Sequence, residues 1–167
     1  MTSGSATVRI GLLGADAHGS LADLMAEMQA HYRVPRPDRA DILSGLAGLP
    51  QGIEVLVAHD GTALVGFAFA ANVYPGPGLK SGFFLKELYV ARAARGAGIG
   101  RALMRALAEL ALAHGHRRID WTADAANPGL LRFYESLGAV AQTEKIFYRL
   151  TGEALAQMAN DPDTQSR

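Results

Sequence analysis

Between a β-rich run, Phe83 to Val90 (FFLKELYV), and a run of helical periodicity opening at Ile99, the chain carries Arg95-Gly96-Ala97-Gly98-Ile99-Gly100. Glycines let a backbone approach a ligand without a Cβ in the way, and a helix starting there aims several unpaired N–H groups at the same spot. The helix dipole favours negative charge at that end, so a pyrophosphate is a natural guest. Arg95 and Arg101 bracket the turn as donors for charge-assisted bonds. A tight turn that needs only positive φ is the alternative reading of the same glycines. The dinucleotide fingerprint G-x-G-x-x-G fails because Arg101 stands at its third glycine, and the phosphate loop G-x-x-x-x-G-K-[ST] is absent.

Around this turn the pattern predicts alternating strands and helices. Val8 to Leu13 reads as a strand, and Leu21 to Tyr32 as a helix with Leu21, Leu24, Met25 and Met28 on one face. Pro35 and Pro37 stop that helix, and Asp38 is placed to cap a short one through Leu49. Glu54 to His59 and Ala63 to Val73 read as strands of a hairpin turned at Asp60-Gly61. After the Pro/Gly loop at Tyr74 to Gly78 and the FFLKELYV strand, Ile99, Leu103, Leu107 and Leu110 mark a long helix that Gly115 ends. Arg118 to Thr122 is expected as a strand and Pro128 to Leu137 as a helix closed by Gly138. Ile146 to Leu150 is expected as a last strand, followed by a helix capped by Thr151 through Met158. The alternation argues for a mixed α/β sheet. No repeat or linker divides the chain, so residues 1–167 are expected as a single domain with flexible polar ends at 1–5 and 160–167.

Composition then removes function classes. With 16 Lys+Arg against 16 Asp+Glu, no long-range field of one sign attracts nucleic acid or an anionic membrane. The absence of Cys excludes disulfides, thiolate–zinc sites and a sulfur nucleophile, and the five His lack metal-ligand spacing, so no metal is expected. No apolar run approaches the length of a membrane span and the N-terminus has no leader pattern, which makes a cytoplasmic protein the default expectation.

Arg95-x-x-Gly98-x-Gly100 resembles the [QR]-x-x-G-x-[GA] signature of the GNAT superfamily of N-acetyltransferases, in its usual setting after LKELYV and before an amphipathic helix. The likeness continues through Trp121, Asn127 and the FYESLGA run at Phe133 to Ala139. Upstream it reaches Gly66-Phe67-Ala68, where the chain looks most like the diamine (spermidine/spermine) and thialysine acetyltransferase branch. It covers Leu64 to Met158. The resemblance implies the GNAT fold, an α/β (α+β) architecture with a mixed, mostly antiparallel sheet of six to seven strands splayed at the acetyl-CoA site and flanked by helices. It implies acetyl-CoA as cosubstrate, no metal, and a homodimer. It places the pantetheine arm along Leu88, Tyr89 and Val90, and the pyrophosphate on Gly96, Ala97, Gly98, Ile99, Gly100 and Arg101 beside Arg95. Asn127, Leu130 and Tyr134 are the further coenzyme positions.

An alkylammonium has a pKa of about 10, so the acceptor must lose a proton before it attacks a thioester. Glu87 is the candidate base, directly or through an ordered water; a solvated strand residue is its plain reading. Tyr134 follows Asn127 at the family spacing, and a phenol is well matched to a thiolate leaving group; a ring packed on the helix is the alternative. Asn127 also suits a helix cap before Pro128. A backbone N–H near Leu88 or Tyr89 would polarise the thioester carbonyl. Without Cys or a Ser/His/Asp constellation, direct attack in a ternary complex is expected rather than a covalent acetyl-enzyme.

Two acidic positions of the diamine branch correspond here to Lys86 and to Arg33 after Tyr32. Like-charge repulsion there disfavours a polycation and favours an amine that also carries a carboxylate or phosphate. The expected acceptor is therefore the primary amine of a small molecule, amino-acid-like or polyamine-like, with amino-acid-like amines or a peptide expected to be better acceptors than spermidine, and with Tyr32, Arg33, Lys86, Glu87, Asp120 and Trp121 as candidate lining. Asp23, Glu27 and His31 on the first helix could face the acceptor, although a polar helix face needs no special explanation. A protein lysine or N-terminus as acceptor, and a non-catalytic coenzyme-binding module, are the alternatives.

Overall fold

The computed structural model describes residues 8–160, which form two compact units meeting in sequence at Ala123 and Asp124. The first unit contains β1 (Arg9–Leu12), α1 (His18–Tyr32), α2 (Arg39–Ala47), β2 (Ile53–Asp60), β3 (Ala63–Val73), β4 (Gly82–Val90), α3 (Ile99–Ala113) and β5 (Ile119–Asp120). The second contains α4 (Pro128–Glu135) and α5 (Gly152–Ala159). The sheet runs β1-β2-β3-β4-β5, antiparallel except for the parallel pair β4 and β5. This is the expected mixed α/β class, with five strands among the described residues rather than six to seven.

Adjacent strand residues face opposite sides of a sheet, and Gly66 and Phe67 show what each side does. Phe67, fully buried, joins a core with Leu21, Leu24 and Met28 of α1, Leu46 of α2, and Val55, Val57 and Tyr89. On the other face a Cβ at Gly66 would meet the Ile99 and Leu103 side chains at 3.2 Å, so the glycine lets α3 lie directly on β3. α3 buries Ile99, Leu103, Met104, Leu107 and Ala111. Leu103 and Leu107, essentially inaccessible, each contribute about 1.5–3 kcal/mol by leaving water. The β2–β3 hairpin turns at Gly61 with φ +60°, as the Asp60-Gly61 pair predicts.

Three expectations are corrected. Arg118 to Thr122 pairs only over Ile119–Asp120, because β5 finds β4 at just two register positions. Ile146 to Leu150 is not a strand: apolar alternation supplies a face, but a strand also needs a ladder partner, and no described strand pairs with it. Asp38 does sit at the start of α2, yet its carbonyl rather than its side chain takes the amides of Asp41 and Ile42; Thr151 makes no side-chain cap either. Of the expected loose ends at 1–5 and 160–167, Asn160 closes α5 with its amide bonded to the Ala156 and Gln157 carbonyls, and the rest lie outside the described residues.

Candidate active site

β4 positions most of the expected site. One edge pairs with β3 from Gly82 against Val73 to Val90 against Gly66. On the other edge β5 pairs only with Phe83 and Phe84, so no described strand covers that edge from Leu85 to Val90. The β3 register also slips once: Phe69 opposes Glu87 while Ala70 opposes Leu85, which leaves Lys86 as the extra residue of a bulge. A bulge bends its strand and re-aims the neighbouring side chains. Glu87 thus lies two residues from Tyr89, on the face that α1 covers. Its carboxylate is partly exposed and takes the Lys86 ammonium at 3.3 Å; Lys86 itself is exposed, so the pair is weak.

Val90 leads straight into the glycine turn. Ala91 donates to the Val65 carbonyl at 2.8 Å, the Arg95 Nε donates to the Val90 carbonyl at 3.1 Å, and the Arg95 guanidinium lies 5.3 Å from the Tyr89 ring centroid. Gly96 and Gly98 take φ of +83° and +77°, the left-handed region that favours glycine. Gly98 is the N-cap of α3 and no side chain caps that helix; its first intrahelical bond runs from Ala102 to Gly98. The amides of Ile99 and Gly100 therefore have no intrahelical partner, and the turn from Arg95 to Gly98 is exposed. An exposed helix start that follows, across the turn of residues 91–98, a strand edge with no described partner fits an extended ligand that ends in a diphosphate.

The C-terminal end of α1 stands beside the second half of β4. Tyr32 is held above the ordinary tyrosine pKa by burial and by the negative charge of Glu87, against a lowering by Arg95. Next to it Arg33 closes the helix with φ +56°, a left-handed conformation costly for a side chain with a Cβ. The His31 ring lies tilted against those of Tyr32 and Tyr89, with centroids 5.3 and 5.9 Å away. Asp23 is engaged by Arg39 at 2.7 Å, an exposed pair that lowers the Asp23 pKa. Glu27, read from sequence as part of a plain polar face, accepts the Tyr89 hydroxyl and the Arg92 amide, both at 2.9 Å. The one signal available for it in the sequence is its place three residues after buried Leu24. A concavity of about 640 Å³ lies instead along β1, lined by Arg9, Leu12 and His59 among others, and holds none of the expected residues.

Residues 21–139 match the Acetyltransferase (GNAT) family. The chain belongs to this family. It is 33% identical over 92 residues to an L-ornithine N5-acetyltransferase of Arabidopsis thaliana, a stretch covering 55% of this chain and 40% of that protein. The match thus spans less than half of the plant relative. An integron cassette protein of V. cholerae superposes with TM-score 0.84 and 31% identity, over 94% of this chain and 99% of that one. The ribosomal-protein-alanine N-acetyltransferase of Brucella melitensis biovar Abortus 2308 superposes with TM-score 0.70 and 25% identity, over 86% and 99%.

The remaining candidate residues of this GNAT chain lie on β5 and in the second unit. Asp120, opposite Phe84, is ion-paired with Arg118, and Trp121 follows it half-buried. In the second unit the Asn127 side chain accepts the Leu130 amide at 3.0 Å, with Pro128 in the first turn, so the capping reading of Asn127 holds. Leu130 and Tyr134 lie on α4, both partly buried, and the Tyr134 ring is 5.2 Å from that of Phe133. Among the described residues no three His, Asp or Glu gather as a metal would need, and no helix is long and apolar enough to cross a membrane.

Proposed function

We propose that the chain transfers an acetyl group from acetyl-CoA to the primary amine of a small, amino-acid-like molecule, by direct attack in a ternary complex. The observation that carries this reading is the edge of β4, paired with no described strand from Leu85 to Val90 and followed, after the turn of residues 91–98, by the amides at the start of α3. Leu88, Tyr89 and Val90 would hold the pantetheine arm; Arg95 and the amides from Gly96 to Arg101 would hold the diphosphate. Bound acetyl-CoA supplies the acyl group as a thioester. Glu87 takes the proton from the acceptor ammonium, directly or through water, and a β4 amide at Leu88 or Tyr89 stabilises charge on the carbonyl oxygen. Tyr134, at its family spacing from Asn127, returns a proton to the departing sulfur. The family match runs from residue 21 to residue 139, across the boundary between the units, which supports reading both as parts of one catalytic domain. A homodimer follows from the same family resemblance and is checked by light scattering.

For the acceptor, Lys86 and Arg33 stand next in sequence to Glu87 and Tyr32, two cations at positions suited to a zwitterionic amine and repulsive to a polyamine. The similarity to an enzyme named for L-ornithine agrees with this. A peptide N-terminus is the second reading, favoured by the likeness to the ribosomal-protein-alanine enzyme. Thiol release measured with L-ornithine, L-lysine, spermidine and an alanine-ended peptide separates them: kcat/KM is expected to be highest for an amino acid. A higher value for spermidine overturns the acceptor assignment, and absence of coenzyme binding by calorimetry overturns the whole reading. Tyr134→Phe is expected to depress turnover while leaving coenzyme affinity within about two-fold; unchanged turnover removes Tyr134 from the mechanism.

A further inference from the structure

We propose that Glu27 is a positioning residue that ties the coenzyme turn to α1, so that the helix bearing Tyr32 and Arg33 and the turn bearing the diphosphate amides move as one piece. This rests on the coenzyme site proposed above. One carboxylate oxygen, Oε1, accepts both the Tyr89 hydroxyl and the Arg92 backbone amide at 2.9 Å. Those partners lie 62 and 65 residues away in sequence, one near the end of β4 and one in the turn that follows. The other bonds that shape this turn are local to it or come from the neighbouring strand: Ala91 to Val65, Ala94 to Ala91, and Arg95 to Val90. Glu27 thus supplies the link from a separate helix.

The charge argues for the same role. A carboxylate beside a turn built for an anion repels that anion, so attracting the ligand is not what Glu27 does. Its negative charge is directed instead at two donors, one of them a backbone N–H, where a charged acceptor makes a stronger bond than a neutral one. The rest of the side chain is exposed, which leaves the bond open to competition from water and keeps the expected effect moderate. A turn ordered before binding costs the ligand less to engage, because the entropy of fixing the Arg92 backbone has already been lost. By linkage, whatever orders the turn also orders the end of α1.

Two measurements on the full chain test this. Hydrogen exchange reads the Arg92 amide without any ligand: Glu27→Ala is expected to speed exchange at Arg92 and its neighbours about ten-fold, while Glu27→Gln, which keeps an acceptor oxygen, restores most of the protection. Calorimetry with coenzyme A reads the consequence: dissociation constants about three- to ten-fold weaker for Glu27→Ala and within about two-fold of wild type for Glu27→Gln. Tyr89→Phe leaves the Arg92 bond in place and falls between them. Unchanged exchange at Arg92 in Glu27→Ala overturns the inference. So does faster exchange with unaltered coenzyme affinity, in which case the proposed coenzyme site stands. A wild-type protein that binds no coenzyme A overturns the site itself, and the inference with it.

Discussion

Phe83–Phe84 and Leu85 to Val90 are stretches of one strand, yet the first is paired on both edges and the second, among the described residues, on one. In the first, Phe83 is fully buried, with its ring 4.7 Å from that of His116, which is itself bonded to Asn72. In the second, a bulge at Lys86 interrupts the register, and only Leu85 and Tyr89 are buried. A strand whose backbone is satisfied on both sides is scaffold; where its neighbour departs, the same backbone becomes a place for something else to pair. The β4 part of the proposed site is therefore continuous with its own support, which holds it to the geometry of the sheet.

The sharpest way to break this contrast is Phe83→Ala. Removing a fully buried ring from the doubly paired stretch is expected to cost about 3–5 kcal/mol of unfolding free energy, read by denaturant titration. A loss below about 1 kcal/mol would mean this stretch is not scaffold. Glu87→Gln probes the other stretch and is expected to do the reverse. Turnover falls about 100-fold, the lower end for losing a general base, while stability moves by less than about 1 kcal/mol, because the Lys86 pair it breaks is exposed. A Glu87→Gln protein that unfolds easily but turns over normally would exchange the two assignments.

How much of this was legible in the sequence follows the same division. β3 lies on the expected residues, Ala63 to Val73, and α3 starts where Gly98-Ile99 predicts, because hairpin turn chemistry and helical periodicity are local. The slip at Lys86 was not legible, since a bulge depends on how two strands meet across the sheet. For the same reason the alternation of Ile146 to Leu150 suggested a strand that does not form, and β5 is shorter than RIDWT suggested. Asn127 was read correctly as a cap because capping is set within one turn of helix. Glu27 was placed on the right helix, but its partners come from segments more than sixty residues on, and no pattern within α1 points to them.

Arg33 asks the question of scaffold against site on another element. It closes α1 in the left-handed region, where glycine carries no steric cost, so Arg33→Gly is expected to stabilise the fold by about 1 kcal/mol. If its guanidinium also meets the carboxylate of the acceptor, the same substitution raises the acceptor KM several-fold with kcat little changed. A gain in stability with unaltered KM makes Arg33 a helix end and nothing more.

The smallest effect belongs to Tyr89, which is at once core and part of the proposed site. Burial and the hydrogen bond to Glu27 hold its phenol above the ordinary tyrosine pKa, with Arg95 acting the other way. A folded pKa above the unfolded value of about 10 means the native state binds this proton more tightly. The resulting stabilisation is complete below about pH 10 and is lost as pH rises through the folded value. Tyr89→Phe has no such proton. It is expected to be less stable than wild type by about 1 kcal/mol at neutral pH, with the two stability curves converging as pH climbs past 10, while groups common to both proteins cancel in the difference. Curves that stay parallel would mean that Tyr89 holds its place by ring packing alone, and that its bond to Glu27 adds nothing to the fold.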